Sequence, residues 1–471
     1  MSHDFSYFFY HYQTFGTSKN AKVAQFVGVR TDADFNIMDD AVSLYCQPTR
    51  DFLPSPNAVL HTGITPQFCQ QNGLPEPLFA AEIVRHFSQP NTCIIGFNNI
   101  RLDDERTRHL LYRNLFDPYE YSYQNGNSRW DLLDVLRACH ALRPAGMEWA
   151  YTADGTPSFA LYDLARTNDI ACEAENATSE LFAMVALARL LKQAQPRLFA
   201  FFLQHRHKHT LKQLIDLEQN MPLIHVSGMF GSERHFCSVV APLAWHAEQA
   251  NTLIVCDLMA DLSDLLTLSA EELRERLYTP KTELLAQGKQ PLPLKGVHLN
   301  KSPILAEVKV LLPEDERRLN IDLDVCRQNW RLLRQATDLA EKVQQAFVRE
   351  QVFTPDENVE NQLYQGFYGS EDKYKLAVLR QAEPLSLDDL RLDFADERVA
   401  KLWQQYRAKH FFAHLTRKEQ LQWQAKRRLR LEGELLAFEQ EWQAAAERYQ
   451  NDEEKLYLLK QLFDYVEYLL R

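Results

Sequence analysis

The sequence predicts an α/β N-terminal domain, then a smaller β-rich module, then a helical C-terminal third. Three observations carry this. Short apolar strands alternate with helix-spaced segments over roughly the first 195 residues. Three strand-like runs then fall between about 197 and 350. From about Thr354 onward apolar residues recur at helical spacing amid dense charge. The expected domains are 1–196, 197–350 and 351–471.

In the first part, Phe5 to Tyr12 is aromatic-rich and strand-like, and Ala24 to Arg30 reads as a second strand running into the turn signal Asp32-Ala33-Asp34. Ala80 to Phe87 has helical spacing, and Thr92 to Phe97 is a short apolar run of the kind found in buried strands. Leu181 to Leu191 is an alanine- and leucine-rich helix with polar residues ahead of it that could cap its start. Strand signals follow at Pro222 to Val226, Val239 to Trp245 and Leu253 to Asp257. The last third carries helices at Ala400 to Lys409 and Glu419 to Tyr449. The basic run Lys426 to Arg430 is expected to be a solvated helix face.

Composition narrows the class. With 471 residues, 45% hydrophobic and 25% charged, the chain can bury a sizeable core. No stretch has the length and apolarity of a membrane span, and the start lacks a signal-peptide layout. The eight cysteines are dispersed without a CxxC pair, which favours reduced thiols and a cytoplasmic protein over a disulfide framework or a zinc site. A net charge of −12 argues against coating DNA by bulk electrostatics but allows a locally basic groove.

A set of strings goes beyond class-level pattern: HYQTFGT (11–17), TGITP (62–66), GFNNIRLDDE (96–105), YRNLFDPYEYS (112–122), NSRWDLLD (127–134), HVSGMFG (225–231), APLAWH (241–246), RERLYTPKT (274–282), VHLNKSPIL (297–305), NVENQLYQGFYG (358–369) and YRAKHF (406–411). In this order along nearly the whole chain, they resemble the bacterial exonuclease I family of single-strand-specific 3′→5′ DNA exonucleases. The resemblance implies a DnaQ-like (ribonuclease H-like) domain of the DEDD type, a domain containing an SH3-like β-barrel, and a C-terminal α-helical domain. It also implies a monomer that works in DNA repair and recombination. The expected partners are single-stranded DNA and the acidic C-terminal tail of single-stranded-DNA-binding protein.

Hydrolysis of a phosphodiester in this class rests on two magnesium or manganese ions held by carboxylates, with a histidine as general base. Side chains two apart on a strand share a face, so positions 11 and 13 point together. The family has Asp and Glu there, and this chain has His11 and Gln13. His11 suits zinc or manganese better than magnesium, and Gln13 offers only a neutral carbonyl. Asp103, with Asp104 beside it, matches the family's second-motif aspartate. The third motif, His-Asp-Ala-Met-Ala-Asp in the family, becomes ENATSE, which puts Glu175 at the general-base position and Glu180 at the aspartate position. Ala160 replaces an arginine that helps to hold substrate.

The resemblance also implies a DNA-facing set: Arg108, Tyr119, Tyr123, Arg137, Lys208, Asn251, Lys295 and Asn300. Aromatic rings for bases and spaced cations for phosphates give the sequence-tolerant chemistry of such a groove. Loss of anionic oxygens predicts an impaired or inactive enzyme, a pseudo-exonuclease that keeps single-stranded DNA binding. The two alternatives are an active 3′→5′ exodeoxyribonuclease with a rearranged metal site, and a partner-binding regulatory protein without DNA binding.

Overall fold

The computed structural model describes residues 5–348, 356–382 and 393–471. The expected boundary at 350–351 and the start of the helical third at Thr354 lie outside the described residues. By contact density the chain divides into two units. One comprises Met1–Asn127, Cys172–Phe182 and Thr354–Arg471, and the other Ser128–Ala171 and Ala183–Phe353.

The first unit is built on strands β1 (Ser6–Thr14), β2 (Val23–Thr31), β3 (Val42–Tyr45) and β4 (Thr92–Gly96), in the order β3-β2-β1-β4. β1 runs antiparallel to β2 and parallel to β4, with Tyr10 opposite Gly28 and Phe9 opposite Ile95. Alternation along β1 sends Phe8, Tyr10 and Tyr12 into a core with Phe26, Phe79, Ile83 and Phe87. Gly28 is required there, because a Cβ would stand 2.6 Å from the Phe8 ring. The predicted strands and the helix Glu76–Phe87 are all present, and the Asp32 turn closes through its carboxylate, which accepts from Asp34 and Asn36 N–H at 2.8 Å each. The helix predicted at 181–191 spans Ala177–Ala194, and Asn176 Oδ1 accepts the Ser179 N–H at 3.1 Å to cap it.

The C-terminal part of this unit is helical as expected, with Glu397–His410, Arg417–Arg448 and Glu453–Leu470. Thr416 and Glu419 form a capping box at the start of the long helix. Its basic run is less solvated than expected. Arg428 pairs with Glu432 at the surface, but Arg430 reaches the buried Asp51 at 2.6 Å.

The second unit contains a separate five-stranded sheet. Its order is Leu294–His298, Thr252–Asp257, Cys237–Trp245, Leu223–Val226, Ile304–Glu307, all antiparallel. This corrects the barrel expectation. The end strands Leu294–His298 and Ile304–Glu307 are not hydrogen-bonded to each other, so among the described residues no sheet closes into a barrel. No helix among the described residues is long and apolar enough to cross a membrane, and all eight cysteines are free thiols.

Candidate active site

The site is assembled by β1 and two helix starts, all in the first unit. Asp103, Asp104 and Glu105 open the helix Asp103–Arg113, where the free N–H groups and the positive end of the helix dipole favour carboxylates. The helix is fixed to the core face of β1. Tyr10 donates its hydroxyl to Asp104 Oδ1 at 2.9 Å, and Tyr12 and Thr107 hydroxyls are 3.0 Å apart. The opposite face of β1 therefore presents His11 to Asp103.

His11 lies between two carboxylates. Its Nδ1 is 3.5 Å from Asp103 Oδ2 and its Nε2 is 3.3 Å from Glu180 Oε2. Burial pulls the imidazole toward its neutral form, but the hydrogen bond to Asp103 and the charges of Asp103 and Glu180 outweigh it, and the net shift is upward. The other oxygen of Asp103 accepts from Arg106 Nη1 at 2.7 Å, with both side chains buried. Gln13 is buried on β1 opposite Gln25, next to a register irregularity at Gln13/Thr14. Glu175 does not join this group. It has φ +66° and its carboxylate faces His61 Nδ1 at 3.6 Å on the surface, 49% exposed.

The family implies a pair of divalent ions, and the donors here are two carboxylates and an imidazole. They do not surround a common point, because the two ring nitrogens face different carboxylates and Arg106 holds the remaining oxygen of Asp103. Among the described residues no group of three or more His, Cys, Asp or Glu side chains is placed to hold a metal ion. As they stand, these residues do not fit the ion pair. Positive charge beside Asp103 comes from Arg106, and the upward shift of His11 favours its protonated form.

The expected DNA-facing residues fall in both units. In the first, Arg108 is buried, bonded to Glu105 at 3.0 Å, and lies 5.3 Å over the Tyr119 ring. Tyr119 packs beside the cluster of Tyr112, Leu115 and Tyr406, while Tyr123 is 59% exposed. In the second, Arg137 bonds Asp134 at 3.0 Å and lies 5.0 Å over Phe236. Lys295 bonds His225 Nε2 at 2.8 Å and sits 5.0 Å over Phe230. Asn251 O accepts the Leu299 N–H at 2.8 Å, which brings Asn251 beside the turn that holds the exposed Asn300. The short helix opened by the exposed Lys208 contacts that same turn. Ala160 is exposed ahead of the helix Leu161–Thr167.

Two participants went unnoticed in the sequence. The i, i+3 spacing of Asp103 and Arg106 could have shown the first. No local pattern signals the meeting of His61 with Glu175.

With this geometry in hand, comparisons place the chain. Three family descriptions match in sequence: Exonuclease over residues 12–161, Exonuclease I SH3-like domain over 206–349, and Exonuclease I C-terminal domain over 357–469. The chain belongs to the exonuclease I family. It is 49% identical over 467 residues to exodeoxyribonuclease I of Haemophilus influenzae, covering 99% of each chain. It is 46% identical over 465 residues to exodeoxyribonuclease I of Escherichia coli, covering 98% of each. Among solved structures, E. coli exonuclease I in complex with a dA16 oligonucleotide matches with a TM-score of 0.96 and 45% identity, over 99% of this chain and 100% of that one. SSB/Exonuclease I in complex with inhibitor CFAM matches at 0.93 and 43%, with the same coverage. Likeness of this breadth to exonuclease I argues for a working enzyme. It corrects the expectation of an impaired or inactive pseudo-exonuclease drawn from positions 11, 13 and 175.

Proposed function

We propose that the protein is a 3′→5′ exodeoxyribonuclease that acts on single-stranded DNA, releases 5′-mononucleotides, and works with a rearranged site. The observation that carries this is likeness along the whole chain to exodeoxyribonuclease I, at 49% and 46% identity. The unchanged Asp103 and the substituted Glu180 keep carboxylates at two family positions, and the substituted His11 bridges them.

Single-stranded DNA is the proposed substrate, because the chain matches exonuclease I solved with a dA16 oligonucleotide. Single-stranded-DNA-binding protein is the proposed partner, on the match to a structure described as SSB/Exonuclease I. Tyr123 offers an exposed ring to a base and Lys208 an exposed cation to a phosphate. Arg106 sets positive charge beside Asp103, where it can offset charge that builds up on a phosphate under attack by water. Magnesium or manganese is what the family implies.

The test uses the full chain and a 5′-labelled oligo-dT, with magnesium, manganese, zinc or chelator in parallel. Stepwise shortening from the 3′ end with release of dTMP supports the function. An intact strand in all four conditions overturns it.

A further inference from the structure

The first unit carries an open-mouthed cavity of about 870 Å³ that the roles above do not use. Its walls come from the segment after β3, the start of the helix Glu76–Phe87, and the helices Ser370–Gln381, Glu397–His410 and Arg417–Arg448. This volume lies within the range of small-molecule sites, roughly 300–1,000 Å³.

The lining carries three arginines, Arg50, Arg380 and Arg427, and among the described residues none of them is paired with a carboxylate. Arg427 gives one N–H to Leu469 O at 3.2 Å, while its Nε is buried without a partner. Arg380 donates to Leu115 O and lies 4.5 Å over the Phe116 ring. Arg50 is exposed and stands 5.5 Å over Tyr468. Thr49 Oγ1, also in the wall, is buried with no partner.

The acid of the wall, Glu76, pairs with Arg113 through Oε1 at 2.7 Å, while its Oε2 is buried without a hydrogen-bond partner. Asp117 and Glu120, which act on Arg380 from a distance, are held by Lys373. Lys409, the remaining cation of the wall, is matched by Asp51 at 2.8 Å. Burial holds His410 down to about 4, so it is neutral at pH 7. Among the described residues, three arginines without a paired carboxylate therefore line this cavity, in a chain whose net charge is −12, and Arg50 and Arg427 also line a smaller neighbouring cavity with Leu469 and Arg471. Beside them stand the aromatic rings of Phe116, Phe412 and Trp423.

Unpaired guanidinium groups call for a phosphate or carboxylate, and flat rings call for a flat partner. We infer that this cavity binds a nucleoside 5′-monophosphate, its phosphate on the arginines and its base among the aromatic rings. The inference stands on this cavity alone and does not depend on the proposed nuclease activity. It adds to the protein a nucleotide site separate from His11, Asp103 and Glu180.

Calorimetric titration of the full chain with dAMP, deoxyadenosine and inorganic phosphate tests it. The expected result is binding of dAMP at least about tenfold tighter than either fragment, since stacking and charge both contribute. Arg50→Gln, an exposed change that leaves the fold intact, and Trp423→Leu should each weaken dAMP by about tenfold. Asp103→Asn should leave that binding in place. The inference is overturned if dAMP gives no heat, if phosphate alone binds as tightly, or if Asp103→Asn removes the binding while Arg50→Gln and Trp423→Leu do not.

Discussion

Arg106 Nη1 lies 2.7 Å from Asp103 Oδ1, and both side chains are buried at the start of one helix. With His11 at the second oxygen, both oxygens of the aspartate at the centre of the site face side chains of the protein itself. The charge that the family assigns to ions is here partly supplied by side chains.

Removing Arg106 should reverse this. Arg106→Leu leaves Asp103 without its buried partner, a change that costs on the order of 3 kcal/mol. Melting in chelator should show the loss, and manganese should restore part of it by taking the freed oxygen. A melting temperature that manganese leaves unmoved would mean that Asp103 is not open to an ion even then.

Returning carboxylates to β1 should create an ion site. The double variant His11→Asp, Gln13→Glu places two acids on the strand face opposite Asp103 and Glu180. Manganese affinity, read by calorimetry, should rise at least about tenfold, because two neutral or cationic donors become hard anionic ones. Magnesium should then support strand shortening as well as manganese does. Unchanged affinity would contradict the geometry described for His11.

Acid should destabilise the fold before its carboxylates titrate. Burial, reinforced by Lys295, holds His225 down to about 3, and burial holds His410, His109 and His140 down to about 4. Each binds fewer protons folded than unfolded, where histidine titrates near about 6.5. Their contribution is complete above that value and is lost as pH falls toward about 4, at about 2 kcal/mol by pH 5 for His225. Urea midpoints at pH 7.5 and pH 5 measure it, and His225→Gln should flatten the dependence by that share.

A buried ionic cluster should be as costly to break. Lys409 sits between Asp51, at 2.8 Å, and Glu360, with Arg430 at 2.6 Å from Asp51 and Lys22 at 3.5 Å from Glu360. Lys409→Met strands two carboxylates and should lower unfolding free energy by on the order of 3–5 kcal/mol in urea denaturation. A loss below about 1 kcal/mol would place the cluster in contact with water.

Much of this was legible from residue patterns, and the gaps have physical causes. The alternation of Phe8, Tyr10 and Tyr12 against His11 and Gln13 follows from strand geometry, so β1 and the shared face of His11 and Gln13 could be read directly. The ordered motifs picked out Asp103 and Glu180, and the structure sets Asp103 at a helix start and both carboxylates against His11. The place of Glu175 could not be read, because it is set by a left-handed backbone turn and by His61, far away in sequence. The open edges of the second sheet could not be seen, since strands such as Leu294–His298 and Ile304–Glu307 are short and their pairing is non-local.

The most direct test follows a 3′-terminal single strand over time with wild-type protein and with Asp103→Asn, side by side. The expected outcome is steady dTMP release by the wild type and at least about a hundredfold less by the variant, the loss that follows removal of a group stabilising transition-state charge. Equal release by both proteins would detach the activity from the His11–Asp103–Glu180 group, and no release by the wild type would contradict the enzyme itself.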